Sequence, residues 1–370
     1  MAQPESRLGI RSRVVAHALA RRVAHGPRTR PGTVRRILVA HHLLAGDTLM
    51  LTPLLAKLRE RHPEAHIAMT VRRGLLPLYA GRPYGVDALA FDPRQGPTLD
   101  ELLQERGYDL ALVPGDNRYS WLAAALDAAW IVAFAGDRPA HKSWMVDELV
   151  RYPSYPMAWP DMNTLLVKGD APRRYRPTDW PPPPAAPFAQ PSGRYAVLHV
   201  EASTPLKHWQ NEKWMEVATL LAGKGITPIW SSGPHGEALV RQIDPQKTYQ
   251  AVGHTLDLPQ LWHLVAGATA LVCVDTSVTH IGKLTFTPTV CLFGPSSAEL
   301  FGKGEFWADA PFIGVTVADF PCRDQSGLFK RRIEWIRRCQ RSTDECAEPR
   351  CMNAIGAREV MAALEELKVA

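Results

Sequence analysis

Positions 275–280 hold a carboxylate, three hydroxyls and an imidazole: Asp275, Thr276, Ser277, Thr279 and His280. They stand between an apolar, β-rich run, Leu271 to Val274, and a short helical pattern that leads to a second apolar run, Thr289 to Phe293. A strand–turn–helix–strand unit of this kind gathers polar groups at the carboxyl ends of strands, where open parallel sheets bind ligands. A helix that begins in small hydroxyl residues presents unpaired N–H groups and a partial positive charge, which suits a phosphate. The chemistry implied is recognition of a phosphorylated ligand, with a nucleotide as the leading class.

Three other places carry groups suited to the same chemistry. Lys207 follows Ser203 and Thr204 in the loop after the run Tyr195 to Val200, where a fixed cation offsets charge growing on a leaving group. Glu237 closes the loop Ser231 to Glu237; a carboxylate there suits the hydroxyls of a ribose, or only the positive end of a helix. Asp47 follows Gly46 and opens a helix, which it either caps or uses as a mount for proton transfer.

The elements that must position these groups alternate along the chain. Residues 34–40 read as a first strand, and the helix from Asp47 carries Leu49, Leu51, Leu54, Leu55 and Leu58. A strand over 66–71 completes a β-α-β unit, and further strand-like pieces lie at 88–91, 110–113 and 131–134. Residues 172–191 are too rich in proline for a helix or a central strand and read as a semi-rigid linker. Alternation restarts with a strand at 195–200, a helix capped near Asn211, a strand at 225–230 and a helix over 258–266. The division expected is a basic arm 1–33, a Rossmann-like domain 34–171, the linker, a second domain 192–351 with a Cys- and Arg-rich part at 320–351, and a terminal helix within 352–370.

The formal charge of +6 is unevenly spread. Residues 1–36 hold nine Arg and one acid, so the rest of the chain is slightly acidic. Leu8, Val14, Val15, Ala18, Leu19 and Val23 make an apolar stripe edged by Arg, which suits an anionic membrane surface or a solvated tail; nucleic acid is not expected as a partner. No apolar run is long enough to span a bilayer, and no secretion signal is read, which implies a cytoplasmic protein. Cys273 and Cys291 fit buried strands, while Cys322, Cys339, Cys346 and Cys351 cluster without a C-x-x-C knuckle. These four suit free thiols or, as weak candidates, a structural metal. The run Lys330-Arg331-Arg332 with Arg337 and Arg338 reads as a solvated helix face or a surface for an anion.

Four blocks in order, LLAGDTLMLTPLLAKLRERHPEAHI, VLHVEASTPLKHWQNEKW, WSSGPHGE and VDTSVTHIGKLTFTPTVCLFGPSS, resemble glycosyltransferase family 9, the ADP-heptose:lipopolysaccharide heptosyltransferases. The resemblance implies an α/β, GT-B fold of two Rossmann-like doubly wound domains facing across a cleft, with the last helix crossing back to the first. It implies inverting, metal-independent transfer of a heptose-like sugar from an ADP-sugar to a lipopolysaccharide core or another envelope glycan, with no cofactor required. Asp47 would be the general base. Lys207, Ser203, Thr204, Thr276, Ser277, Thr279 and His280 would hold the diphosphate, Glu237 the ribose and Asp275 the donor sugar. A peripheral place on the inner face of the inner membrane would follow. Certain protein-modifying members carry a cysteine-bound iron, which these spacings do not carry over. A protein heptosyltransferase, a sugar-nucleotide epimerase of similar build and a non-catalytic nucleotide-sugar-binding module are the alternatives.

Overall fold

Leu38, Val39, Leu198 and Val272 are each wholly buried, as expected for central strands covered on both faces. The computed structural model describes residues 7–26, 28–252, 255–318 and 320–369. Its first sheet contains β1 (Arg36–Val39), β2 (His66–Val71), β3 (Val86–Ala90), β4 (Tyr108–Val113), β5 (Ala128–Phe134) and β6 (Glu148–Val150), in the order β3-β2-β1-β4-β5-β6. The second contains β7 (Tyr195–His199), β8 (Thr227–Ser231), β9 (Gln250–Val252), β10 (Ala270–Val274), β11 (Thr289–Leu292) and β12 (Phe312–Val315), in the order β12-β11-β10-β7-β8-β9. Every neighbouring pair in both sheets is parallel. The second sheet repeats the order of the first, and in each the order reverses once, between β1 and β4 and between β7 and β10. A crevice forms at such a switch point because the two flanking connections leave in opposite directions. The GT-B arrangement expected from the sequence is the one observed.

The edge strands β6, β9 and β12 were not anticipated. They are three or four residues long and partly exposed, so they lack a sustained apolar run. The helix Asn211–Gly223 begins at Asn211, but Gln210 holds the cap position and no side chain caps it.

The 172–191 segment has no α-helix or strand, and it is pinned rather than free. Buried Tyr175 donates from its hydroxyl to the Leu284 carbonyl, and buried Trp180 donates from Nε1 to the Leu78 carbonyl. One end thus grips the second sheet's helices and the other the first domain's.

The basic arm is a helix, Arg7–His25, packed on the first domain. Its apolar residues divide between two faces. Ile10, Val14 and Ala18 are buried in the cluster that includes Leu122 and Leu126, while Leu8, Leu19 and Val23 remain 76%, 47% and 85% exposed. Its arginines are largely paired. Arg13 meets Asp100, Arg22 and Arg28 share Asp147 at 2.9 and 3.1 Å, and Arg30 meets Glu148 at 2.7 Å. The free-arm expectation therefore gives way to a helix that is half core and half exposed apolar ridge.

The terminal helix Ala357–Glu366 does not cross back to the first sheet. Val360, Met361 and Leu364 pack with Trp214, Val217 and Leu292 of the second domain. The connection across the molecule is made instead by residues 327–338. They form a hairpin, β13 (Gly327–Leu328) and β14 (Arg331–Arg332), and no helix. Arg331 is buried at 4% exposure and donates to the carbonyls of Gly115, Phe134 and Ala135 and to Asn117 Oδ1, all beyond β4 or at the end of β5. Trp335 Nε1 donates to the Pro153 carbonyl at 3.0 Å. The expected solvated charge run is thus an interdomain clasp, because Arg331 exchanges water for a set of backbone acceptors.

Candidate active site

The loop that leaves β1 enters a short helix, Ala45–Leu49, whose cap is Leu44; Asp47 is its third residue and caps nothing. Arg72 Nε donates to the Leu43 carbonyl at 2.9 Å and holds this loop in place. Gly46 faces the second domain at close quarters. A Cβ there would lie 3.3 Å from His280 Cδ2 and 3.4 Å from the Ser277 Cα. Glycine permits this approach without crowding, since a Cβ would make its neighbours give by a few tenths of an ångström.

Across the gap, β10 ends at Val274 and the helix Ser277–Thr285 begins after Thr276, whose hydroxyl makes no capping bond. The N–H groups of that first turn have no helical partner. Lys207 ends the short 3-10 turn Pro205–Lys207 after β7. Its Nζ donates to the Asp275 carboxylate at 2.6 Å and to the Asp275 carbonyl at 3.0 Å.

Asp47, Ser203, Lys207, Asp275, Thr276, Ser277 and His280 line one cleft of about 620 Å³. The carboxylate of the first domain and the cation and hydroxyls of the second therefore share an opening, each at its own switch point. Burial, then the nearby Asp275 charge, pushes the Asp47 carboxyl up to about 6, against the opposing pull of Lys207, Arg338 and Arg72. A carboxylate at that value is ionised near neutrality yet basic enough to take a proton. Burial, helped by Lys283 and Lys207, holds His280 well below the usual imidazole range, so its ring is neutral. Its Nδ1 is buried without a hydrogen-bond partner among the described residues.

Three predicted residues stand apart. Thr279 is buried and turns into the core, where its hydroxyl donates to the Val274 carbonyl and meets Cys273 and Cys291 Sγ at 3.1 and 3.2 Å. It points away from the phosphate side because the chain is helical from Ser277, and two residues on, at about 100° per residue, the side chain has turned to the opposite face. Thr204 accepts the Leu206 N–H as the cap of its own short turn. Glu237 starts its helix 57% exposed, at 4.0 Å from Arg241, outside the cleft lining. Conversely, the cleft includes Lys330, Arg338 and Gln340 from the Cys- and Arg-rich segment. Charge alone pointed to that segment; its spacing resembled a helix face and concealed which arginines turn inward.

Cys322, Cys339, Cys346 and Cys351 line a separate cavity of about 330 Å³. Cys346 Sγ donates to the Glu348 carbonyl at 3.3 Å, and Arg341 lies on Cys339 Sγ at 3.7 Å. Among the described residues no group of three or more His, Cys, Asp or Glu is arranged to hold a metal ion. The thiols as placed do not make a ligand set.

Known proteins share this build. Lipopolysaccharide heptosyltransferase 1 of Escherichia coli K12 is 31% identical over 124 residues, 32% of this chain and 39% of that protein; the alignment thus spans about two fifths of the relative's length. The glycosyl transferase family 9 protein of Veillonella parvula superposes with a TM-score of 0.70 at 16% identity, covering 92% of this chain and 98% of the other. E. coli heptosyltransferase WaaC, solved with ADP, gives 0.64 at 16% identity, covering 90% and 97%. The profile of glycosyltransferase family 9 (heptosyltransferase) matches residues 98–324, from the first sheet through the Asp275 turn to the thiol segment. With the paired sheets and the shared cleft, that match over more than half of its length makes the chain a member of glycosyltransferase family 9, the heptosyltransferase family.

Proposed function

We propose that the protein transfers a heptose-like sugar from an ADP-sugar to a lipopolysaccharide core or another envelope glycan, with inversion and without a metal ion. One observation carries the reading: Asp47 from the first switch point faces the Lys207–Asp275 pair from the second across a single cleft. The relatives named above are lipopolysaccharide heptosyltransferases, and WaaC was solved with ADP.

In this reading the diphosphate lies over the first turn of the helix Ser277–Thr285, held by Ser203, Lys207, Thr276, Ser277 and neutral His280. Asp275 accepts hydroxyls of the donor sugar. The acceptor hydroxyl approaches from the Asp47 side. Its proton passes to the Asp47 carboxylate as its oxygen bonds to the anomeric carbon. The bond from that carbon to the β-phosphate oxygen breaks on the opposite face, and the electron pair leaves with ADP. Attack and departure on opposite faces invert the centre. Lys207 and the helix N–H groups supply the positive charge that a divalent ion supplies in other phosphate sites. Thr204 and Glu237 stay candidate phosphate and ribose contacts.

The acceptor side offers a cavity of about 400 Å³ between the N-terminal helix and the first domain, lined in part by Arg11, Trp121 and Lys330. The exposed ridge of Leu8, Leu19 and Val23 lies on that helix and suits the surface of an anionic bilayer. No described helix is long and apolar enough to cross a membrane. A peripheral place at the inner face of the inner membrane accords with a glycolipid acceptor.

A thermal-shift panel of ADP, UDP and GDP and their sugar conjugates tests the donor. ADP-linked ligands at a hundredfold excess over Kd stabilise the fold by ~2.7 kcal/mol through mass action. Stronger stabilisation by UDP or GDP conjugates overturns the assignment.

A further inference from the structure

Arg338 belongs to none of the four resemblance blocks, yet its side chain lines the cleft together with Asp47, Lys207 and Asp275. Its backbone is fixed. The Arg338 N–H donates to the Gln325 carbonyl at 3.2 Å, the Gln325 N–H returns to the Arg338 carbonyl at 3.0 Å, and the next residue, Cys339, donates to the Pro295 carbonyl at 2.8 Å. Its guanidinium carbon sits 5.1 Å from the centre of the Phe301 ring, which orients the plane and excludes water from one face. Nε is buried and has no hydrogen-bond partner among the described residues.

A native structure rarely leaves a buried guanidinium N–H such as this Nε–H without an acceptor. Asp275 is already held by Lys207, and Asp275 and Asp47 act on Arg338 through their charge, with neither accepting a hydrogen bond from the guanidinium. What remains is an anion from outside the chain, with more than one oxygen to meet a planar fork. Phe301 and Arg338 stand on the same side of the cleft as the phosphate-holding turn, since Phe301 ends the helix Ala298–Phe301 that follows β11, the neighbour of β10.

We infer that Arg338 is a donor-binding residue that grips the nucleoside diphosphate leaving group across from Lys207, so that two cations of different geometry bracket the phosphates. The inference rests on the transferase reading and adds a second charge to its leaving-group site. It also gives the clasp of residues 327–338 a purpose beyond packing: Arg331 ties to the first domain the same segment whose Arg338 reaches the second domain's ligand, so closing the domains and completing the phosphate site are one event.

Isothermal titration of ADP and AMP into full-length wild-type protein, Arg338→Met and Arg338→Lys tests it, with thermal unfolding of each protein alone. The expected result is an ADP Kd at least tenfold weaker in Arg338→Met, which is ~1.4 kcal/mol. The Lys variant falls between. AMP, which lacks the β-phosphate, changes less, so the preference for ADP over AMP shrinks. Thermal unfolding of each ligand-free variant checks that it is folded before titration, and the preference for ADP over AMP is the readout that a merely structural arginine does not move. An unchanged ADP-to-AMP ratio overturns the assignment. Wild-type protein that prefers UDP or GDP defeats the donor reading itself, and the two failures are told apart by that control.

Discussion

Replacing Asp47 with asparagine removes a charge that the fold holds at a disadvantage. The carboxyl stands at about 6 against an ordinary value of 3.8, raised first by burial and then by Asp275. Two pH units correspond to ~3 kcal/mol, and partial access of the cleft to water reduces the effect to ~1–2 kcal/mol. Because the folded value is raised, the native protein binds more protons than the unfolded chain between the two values, so stability falls as pH rises through that window. The penalty is absent below the lower value and complete above the upper one. Asp47→Asn lacks it and is therefore more stable than wild type at pH ~7.5 by ~1–2 kcal/mol, a few degrees in Tm, with the gap closing toward pH ~4. Transfer moves the other way. The variant loses ~10²–10⁴ in rate, and wild-type kcat/KM falls about tenfold per unit as pH drops below ~6. Calorimetry of both proteins across this range, paired with an ADP-release assay, reads both arms. A variant equally destabilised at both ends, or wild-type activity that stays flat to pH ~5, refutes the reasoning, since an ordinary carboxylate behaves in that way.

Other consequences follow from single contacts. Gly46→Val places carbon against His280 and the Ser277 backbone; an overpacking penalty of ~1–3 kcal/mol and a loss of transfer larger than any loss of ADP affinity are expected, by urea unfolding and titration. Arg331→Met leaves the Gly115, Phe134 and Ala135 carbonyls and Asn117 short of donors, and a cost of ~3–5 kcal/mol in denaturant unfolding is expected. Thr279→Val should leave ADP binding within twofold of wild type, as its hydroxyl faces Cys273 and Cys291, at a stability cost of ~1 kcal/mol. A large loss of ADP affinity in that variant contradicts its inward placement.

The sequence makes legible what depends on short-range pattern. Continuous apolar runs locate the central strands, and His66–Val71 and the helix Leu258–Ala266 match their expected bounds residue for residue. The ends of β1, β7 and β10 follow from the same runs, so Asp47, Lys207 and Asp275 read as residues beyond strand ends from pattern alone. What pattern cannot encode is direction across the chain. Thr276, Ser277 and Thr279 are alike as residues, but the helix beginning at Ser277 sends Thr279 to the core. Arg331 and Arg338 look like neighbours in one charge run, yet a hairpin and an isolated bridge aim one at the first domain and the other into the cleft. The N-terminal stripe reads as one face because Val14 and Val15 are adjacent in sequence; in the fold they lie on the buried and exposed sides of the same helix.

The most direct test compares ADP binding with sugar transfer in Asp47→Ala and Lys207→Ala, using ADP-heptose and heptose-deficient lipopolysaccharide with a chelator present. ADP affinity should survive in the Asp47 variant and collapse in the Lys207 variant, with transfer lost in both. Transfer at the wild-type rate without Asp47, or undiminished ADP binding without Lys207, contradicts a cleft in which a base from one domain confronts a phosphate site on the other.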